Sequence, residues 1–332
     1  DGLRGQVTKR EKAESLAALG FLAPNLVGFL VFTFFPVFAS MVLAFTNWDL
    51  FGQPRWVGLF NFVSLLGWRN EPEMGGIVMN DPFFWKYVYN TVFLMMAIPV
   101  GIAGSLCLAL LVNQKLRGMT WFRTIYFLPT VSSGVAILIL WKWLYNADIG
   151  PINTVIASIG DLLGQSWSGP DWLGTVAWAK PSLMLMGLWT GIGGFNMILY
   201  LAALQGVPRE LYEAAAIDGA SPWSAFWAVT WPGISATTFF ILIMWLIGGF
   251  QGGFMTAHVM TGGGPAGSTT TIEYYLYNIA FTRFLMGYAS AIAWSLFVVI
   301  LGLTLVTWRM GGRVIRSEER RVGKECLSSC RS

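Results

Sequence analysis

The chain has 332 residues, 55% of them hydrophobic and only 11% charged, with a formal net charge of +4. Mean hydropathy is +0.59, and a soluble domain carries about 25% charged residues, so composition alone gives an integral membrane protein. Lys and Arg form no continuous stripe, which excludes a nucleic-acid partner. Cys107, Cys326 and Cys330 have no spacing for a zinc site, and the single histidine, His258, has no catalytic partner motif.

In chain order, residues 1–19 form a basic leader with Arg4, Lys9, Arg10 and Lys12, expected to be cytoplasmic. Residues 20–46 are long enough to cross a bilayer, which takes about 20 apolar residues. Residues 47–84 form a polar, aromatic, extracytoplasmic loop. Further spans are expected at 85–113, 124–145, 181–205, 233–251 and 284–308. A tight basic turn, Lys115, Arg117 and Arg123, follows the second span, and a loop with Asp148, Asp161 and Asp171 fills 146–180. Residues 309–316 form a basic cytoplasmic end. Residues 317–332, with EERRVGKEC, look like translated vector sequence and are expected to be a non-native tail.

Orientation follows from Lys and Arg in short loops. With six spans, the leader, the Lys115–Arg123 turn, the Arg209 loop and the Arg309–Arg316 end share one side, the cytoplasm. The fold class expected is therefore an all-α membrane protein with six transmembrane helices and both termini cytoplasmic.

Between the fourth and fifth spans lies a charged island, VPRELYEAAAIDGASPWSAFWAVTWP, residues 207–232. Its punctuation is specific. Pro208 suits a first helical turn, Gly219 a C′ position in the left-handed region, and Ser221-Pro222 an N-cap with Pro at N1. This predicts a helix, a turn and a second helix across a membrane surface, with Pro232 entering the next span. From the residues alone, an amphipathic interfacial connector is the alternative.

Glu213-Ala214-Ala215, then Asp218-Gly219-Ala220, then Phe226 and Pro232 resemble the EAA loop of ABC importer permeases. TNWDLFG, WVGLFNFVSLL and DPFFWKYVYNTVF before the core, and MTGGGPAGSTTTIEYYLYNIAF with GYASAIAWSLF after residue 259, are similar to carbohydrate importers of the maltose and glycerol-phosphate type. The resemblance covers residues 85–308, the permease core, with the coupling loop at 207–227. Residues 67–80 look like an insertion. The resemblance implies the type I permease fold and a subunit binding no cofactor itself, since partners bind ATP. It also implies a paralogous permease, two cytoplasmic ABC ATPases docked on the loop, an extracytoplasmic solute-binding protein and a sugar substrate. Glu213, Ala214, Ala215, Asp218, Gly219 and Ala220 are then the ATPase-coupling residues.

The apolar centres hold no Asp, Glu or Arg, which speaks against an ion-coupled pump. No G-x-x-x-x-G-K-[ST] loop is present to cradle nucleotide phosphates. Uncharged polar groups beside aromatic rings suit a sugar, so Trp189, Asn196, Trp245, Phe250 and Gln251 are expected along the substrate pathway. The alternative for each is ordinary interhelical packing. Gly187 and Gly191 form a GxxxG pair, and Gly248-Gly249 with Gly252-Gly253 predict a break or hinge. A membrane-embedded enzyme or a passive channel is the rival reading. The first needs a nucleophile–base pair at membrane depth, and the second has no use for a docking loop.

Overall fold

The computed structural model describes residues 2–71, 76–114, 117–132 and 134–329, with side chains within 12–69, 78–114, 117–132 and 134–309. The helices are α1 (Gly2–Phe29), α2 (Phe35–Leu43), α3 (Phe60–Leu66), α4 (Pro82–Met95), α5 (Ile98–Val112), α6 (Met119–Val131), α7 (Gly134–Leu144) and α8 (Pro151–Leu162). They continue with α9 (Val176–Ile192), α10 (Gly194–Gly206), α11 (Arg209–Ile217), α12 (Pro222–Ala225), α13 (Trp231–Gln251), α14 (Phe254–Thr256), α15 (Ile272–Tyr277) and α16 (Met286–Ser329). Two short antiparallel pairs complete the structure: β1 (Thr46–Asn47) with β2 (Arg55–Trp56), and β3 (Trp68–Glu71) with β4 (Gly76–Met79). The chain divides into two units, Asp1–Asp81 with Asn278–Ser295, and Pro82–Tyr277 with Leu296–Ser332.

Among the described residues, four continuous helical stretches are long and apolar enough to cross a membrane: Lys12–Leu43, Pro82–Val112, Pro222–Gln251 and Met286–Arg309. There are six if the bent pairs α6–α7 and α9–α10 each make one span. The expected leader and first span are a single helical stretch from Gly2 to Leu43, not two elements. The same holds at the other end, where α16 continues helical through Ser329 with no boundary at residue 317; the side chains there lie outside the described residues, as does Lys115.

Prolines explain two local departures from α geometry. Proline removes an i→i−4 hydrogen bond, and its ring crowds the carbonyl of residue i−4. Pro36 and Pro232 are each preceded by one widened π turn, Leu30–Phe34 and Phe226–Thr230, whose closing N–H groups come from Phe35 and Trp231. Each turn ends two residues before its proline, so the helix passes it without breaking.

The first unit is held by polar contacts around β1. The Asn61 amide donates to the carbonyls of Ala44 and Thr46, at 2.9 and 2.8 Å. Tyr288 donates to the Asp81 carboxylate at 2.6 Å, and Trp294 Nε1 to the Ser40 hydroxyl at 3.2 Å. Gly287 passes so close to the Thr46 carbonyl that any Cβ there would overlap it. The expected insertion at 67–80 is the β3–β4 hairpin, with Trp68 opposite Met79; residues 72–75 lie outside the described ones.

In the second unit the core joins α5, α10 and α13. Met197, Tyr200, Leu201 and Leu204 recur at i, i+3, i+4 and i+7 and are buried; Met197, Tyr200 and Leu204 pack with Leu106, Ala109 and Val112 of α5 and Ile234 and Ile241 of α13. Between helices in lipid, packing rather than water exclusion supplies the attraction, so small residues gather where helices meet. Here the Trp245 indole lies in the gap left by Gly101 and Gly191, against both. Ser105 Oγ bridges the same contact, 2.8 Å from the Gly101 carbonyl and 3.2 Å from that of Gly191.

Two expected spans are broken. The fourth bends by 41° between α9 and α10. Gly193 lies against the Tyr126 carbonyl, and Gly194, at φ 62°, lies against Thr130. The third expected span is α6 and α7, interrupted beyond Pro129 where Ser132 turns extended. The loop at 146–180 contains α8, and Asn153 ties it down: its amide donates to Ala147 and Pro170 carbonyls, and Trp172 Nε1 donates back at 2.7 Å.

Candidate functional site

The charged island folds as a helix closed by hydrogen bonds at its C-terminal end. Pro208 is the N-cap, one residue earlier than expected, and α11 begins at Arg209. At the other end Gly219 N–H donates to Ala216 O at 3.1 Å and Ala220 N–H to Ala215 O at 2.9 Å. This is the double bond pattern of a Schellman close, with Gly219 at C′ and φ 74°. Nothing lies within 4 Å of where a Cβ on Gly219 would stand, so the glycine is needed for backbone conformation rather than space.

Ser221 Oγ then accepts from Ser224 N–H at 3.2 Å, and Pro222 opens the next helix. That helix is not a separate surface element as expected. It runs through the π turn into α13 as one stretch, Pro222–Gln251. The four-residue turn therefore joins α11 directly to the fifth span. Sequence reasoning missed the second tie, Tyr212 to Thr230, hydroxyl to hydroxyl.

Glu213 and Ala214 are exposed and Ala215 is half-buried on α11; Asp218 is its exposed C-cap and Ala220 is half-buried in the turn. Trp223, Trp227 and Trp231 follow at i, i+4 and i+8, with ring centroids 5.7 and 5.6 Å apart. Such a ladder suits a membrane–water interface, where an amphipathic ring sits well.

A cavity of about 400 Å³ lies among α4, α5, α9, α13 and the segment after α13. Methionines 95, 184, 186 and 244 line it, together with Gly248, Gly249, Gly252 and Gly253. Thr91, Thr256, Thr269 and Thr271 supply its hydroxyls. The expected break falls at Gly252-Gly253, where Gly252 is extended and Gly253 has φ 107°; Gly248 and Gly249 stay helical.

Of the five expected pathway residues, the cavity takes only Trp245. Trp189 lies outside the lining, 5.5 Å from Trp141 ring to ring. The Asn196 amide donates to the Gly191 carbonyl at 3.4 Å, serving the bend in its own span. Phe250 is buried in packing, and Gln251 is exposed at the end of α13.

The glycine-rich segment 262–271 is strapped to α4. Asn90, buried, donates to the carbonyls of Gly267 and Thr270, both at 2.9 Å, and Ile272 N–H donates to Thr91 Oγ1 at 3.0 Å. Lys86 Nζ donates to Ala266 O at 2.6 Å. The Glu273 carboxylate accepts from Phe254 N–H at 2.8 Å, capping the helical turn that starts there. Burial pushes its carboxyl above the usual range, against the lowering effect of that hydrogen bond. An Asn-Thr pair facing a Gly/Thr-rich loop is the signal that points to this strap. Among the described residues no group of three His, Cys, Asp or Glu side chains is placed to hold a metal.

The fold and the loop define a membrane subunit of an ATP-driven importer. By residues 74–311, the chain belongs to the family of binding-protein-dependent transport system inner membrane components, which are permease subunits of the bacterial inner membrane rather than catalysts. It is 31% identical over 313 residues to the probable ABC transporter permease protein YesP of Bacillus subtilis, covering 93% of this chain and 94% of that one. It is 36% identical to the lactose transport system permease protein LacF of Rhizobium radiobacter, covering 85% and 88%. A solved bacterial ABC transporter involved in import of the acidic polysaccharide alginate superposes with a TM-score of 0.76 at 25% identity, covering 93% of this chain and 99% of that one.

Proposed function

We propose that this permease forms half of a sugar pathway, and that α11 is the coupling helix on which a cytoplasmic ATPase docks. The observation that carries the reading is the closed, exposed helix joined by a four-residue turn and the Tyr212–Thr230 contact to a 30-residue span. Movement of α11 is thereby movement of the fifth span. Glu213, Ala214, Ala215, Asp218, Gly219 and Ala220 make the docking element. Both termini and this loop face the cytoplasm, on the Lys/Arg asymmetry. A paralogous permease completes the pathway, two ATPases bind below, and an extracytoplasmic binding protein delivers the solute. The solute is a sugar, which the lactose and alginate systems of the relatives support. The cavity at Trp245 is the part of the pathway contributed here; Trp189, Asn196, Phe250 and Gln251 do not line it.

The test is a series at Gly219. A Cβ in the left-handed region costs about 1–2 kcal/mol, Asn tolerates it better, and Pro cannot adopt it. Uptake should fall in the order Gly, Asn, Ala, Pro, together with co-purification of the ATPase, while the protein remains in the membrane. Loss of uptake in Gly219→Pro with the ATPase still bound and still stimulated by the binding protein overturns the docking role.

A further inference from the structure

We propose that a second, polar pocket beside α11 holds the phosphate of an anionic phospholipid from the cytoplasmic leaflet, which steadies the coupling helix; this rests on the orientation proposed above. The pocket, about 770 Å³, lies between the α5–α6 turn, the end of α10 and the first turns of α11. Among the described residues, Arg123 and Arg209 are its cations and Glu213 its one carboxylate. Among the described residues neither arginine is ion-paired. One guanidinium N–H of Arg123 donates to Val112 O at 3.0 Å, while its Nε is buried with no acceptor. A buried donor without a partner is costly, and a guanidinium matches phosphate oxygens in geometry and charge.

The surroundings suit the same ligand. Asn113 and Gln114 line the pocket, as do Gly118, Met119 and Thr120 at the start of α6. Gly118, at φ 87°, gives that 13-residue helix no side-chain cap, so its first N–H groups and positive dipole end favour an anion. On the same turns of α6, Trp121, Phe122 and Ile125 are 74%, 51% and 58% exposed. Cationic depth beside exposed apolar rings fits an amphiphile, with the headgroup inside and acyl chains along α6, better than a soluble anion or a partner's carboxylate. Basic pockets between spans on the cytoplasmic side bind such headgroups. The pocket takes Arg209 and Tyr212 of α11 and shares Glu213 with the docking element, whose Ala214, Asp218 and Gly219 stay exposed for the protein partner.

The experiment is native mass spectrometry of the detergent-purified transporter complex after incubation with phosphatidylglycerol or with phosphatidylcholine of the same chains. The wild type should retain phosphatidylglycerol. Arg123→Gln and Arg209→Gln should each lower retention about fivefold, Arg123→Lys should largely keep it, and phosphatidylcholine retention should not change. Arg209 is exposed, so its variant tests the site without disturbing packing. Wild-type retention in both Gln variants overturns the proposal, as does an equal loss of phosphatidylcholine. Binding of inorganic phosphate by the wild type, with no retention of phosphatidylglycerol, overturns the lipid as the source of the anion. Loss of the ATPase from the Gln variants at unchanged lipid retention overturns it too, assigning the pocket to a protein carboxylate. Retention is read by mass without transport, so its failure is separable from failure of the docking role tested at Gly219.

Discussion

The Tyr212 hydroxyl lies 3.0 Å from the Thr230 hydroxyl, joining the exposed α11 to a threonine that is 5% exposed at the foot of the fifth span. The bond closes a loop of 18 residues. It ties α11 to the foot of the span across the turn. Tyr212→Phe removes it and strands a buried hydroxyl, a loss of about 1–3 kcal/mol. Amide hydrogen exchange in 209–217 should accelerate at least severalfold, and uptake per ATP hydrolysed should fall. Unchanged exchange in that helix would remove the bond from the coupling path.

The second prediction concerns the Trp245 seat. Gly101→Ala would drive a Cβ into the indole. Overpacking of this kind costs about 1–3 kcal/mol, so the melting temperature of the purified complex should drop. Trp245→Leu in the same chain should restore most of it. A Gly101→Ala protein as stable as wild type, or one the second change does not rescue, contradicts the packing described.

Glu273 gives a pH dependence with a definite sign. Its carboxyl is raised above the ordinary value of 4.5, chiefly by burial, so the folded protein binds that proton more tightly than the unfolded chain. Its contribution to stability is fully present below the ordinary value and is lost as pH rises through the raised one. Glu273→Gln keeps an acceptor for Phe254 N–H and cannot ionise. Thermal melts taken upward in pH from the ordinary carboxylate value should show wild type losing ground to Glu273→Gln as pH rises. Parallel curves would show that the burial is not felt.

Orientation is checked by cysteines in a background lacking Cys107, Cys326 and Cys330. Gln205→Cys beside the coupling loop should react only with reagent on the cytoplasmic side. Ser158→Cys on α8 should react only from outside; both positions are exposed. Labelling of both from one side breaks the six-span arrangement.

The spans were legible because lipid demands long apolar runs, and the helix and turn at 209–221 because Gly219, Ser221 and Pro222 each have one conformational use. The breaks were not. Tyr126 and Thr130 meet Gly193 and Gly194, a contact between segments far apart in sequence that gives no local signal beyond the two glycines. That four of the five expected pathway residues lie outside the cavity lining has a related reason. Asn196 reads as a free amide at membrane depth, yet the bend at Gly193 brings it the Gly191 carbonyl from the end of the preceding helix, α9. Phe250 and Gln251 sit on a helix whose facing depends on what precedes it.

That dependence lies in the π turn at Phe226–Thr230. A π turn holds one residue more than an α turn, and each residue advances a helix by about 100°. The turn therefore sets the rotational phase between Trp223, at the α11 end of the helix, and Trp245, at the cavity end. Were one residue lost there, every side chain from Trp231 onward would swing by about 100°, and the indole now facing Gly101 and Gly191 would point elsewhere. The two ends of this helix are timed to each other like wards on a key, and Pro232 holds the notch in place.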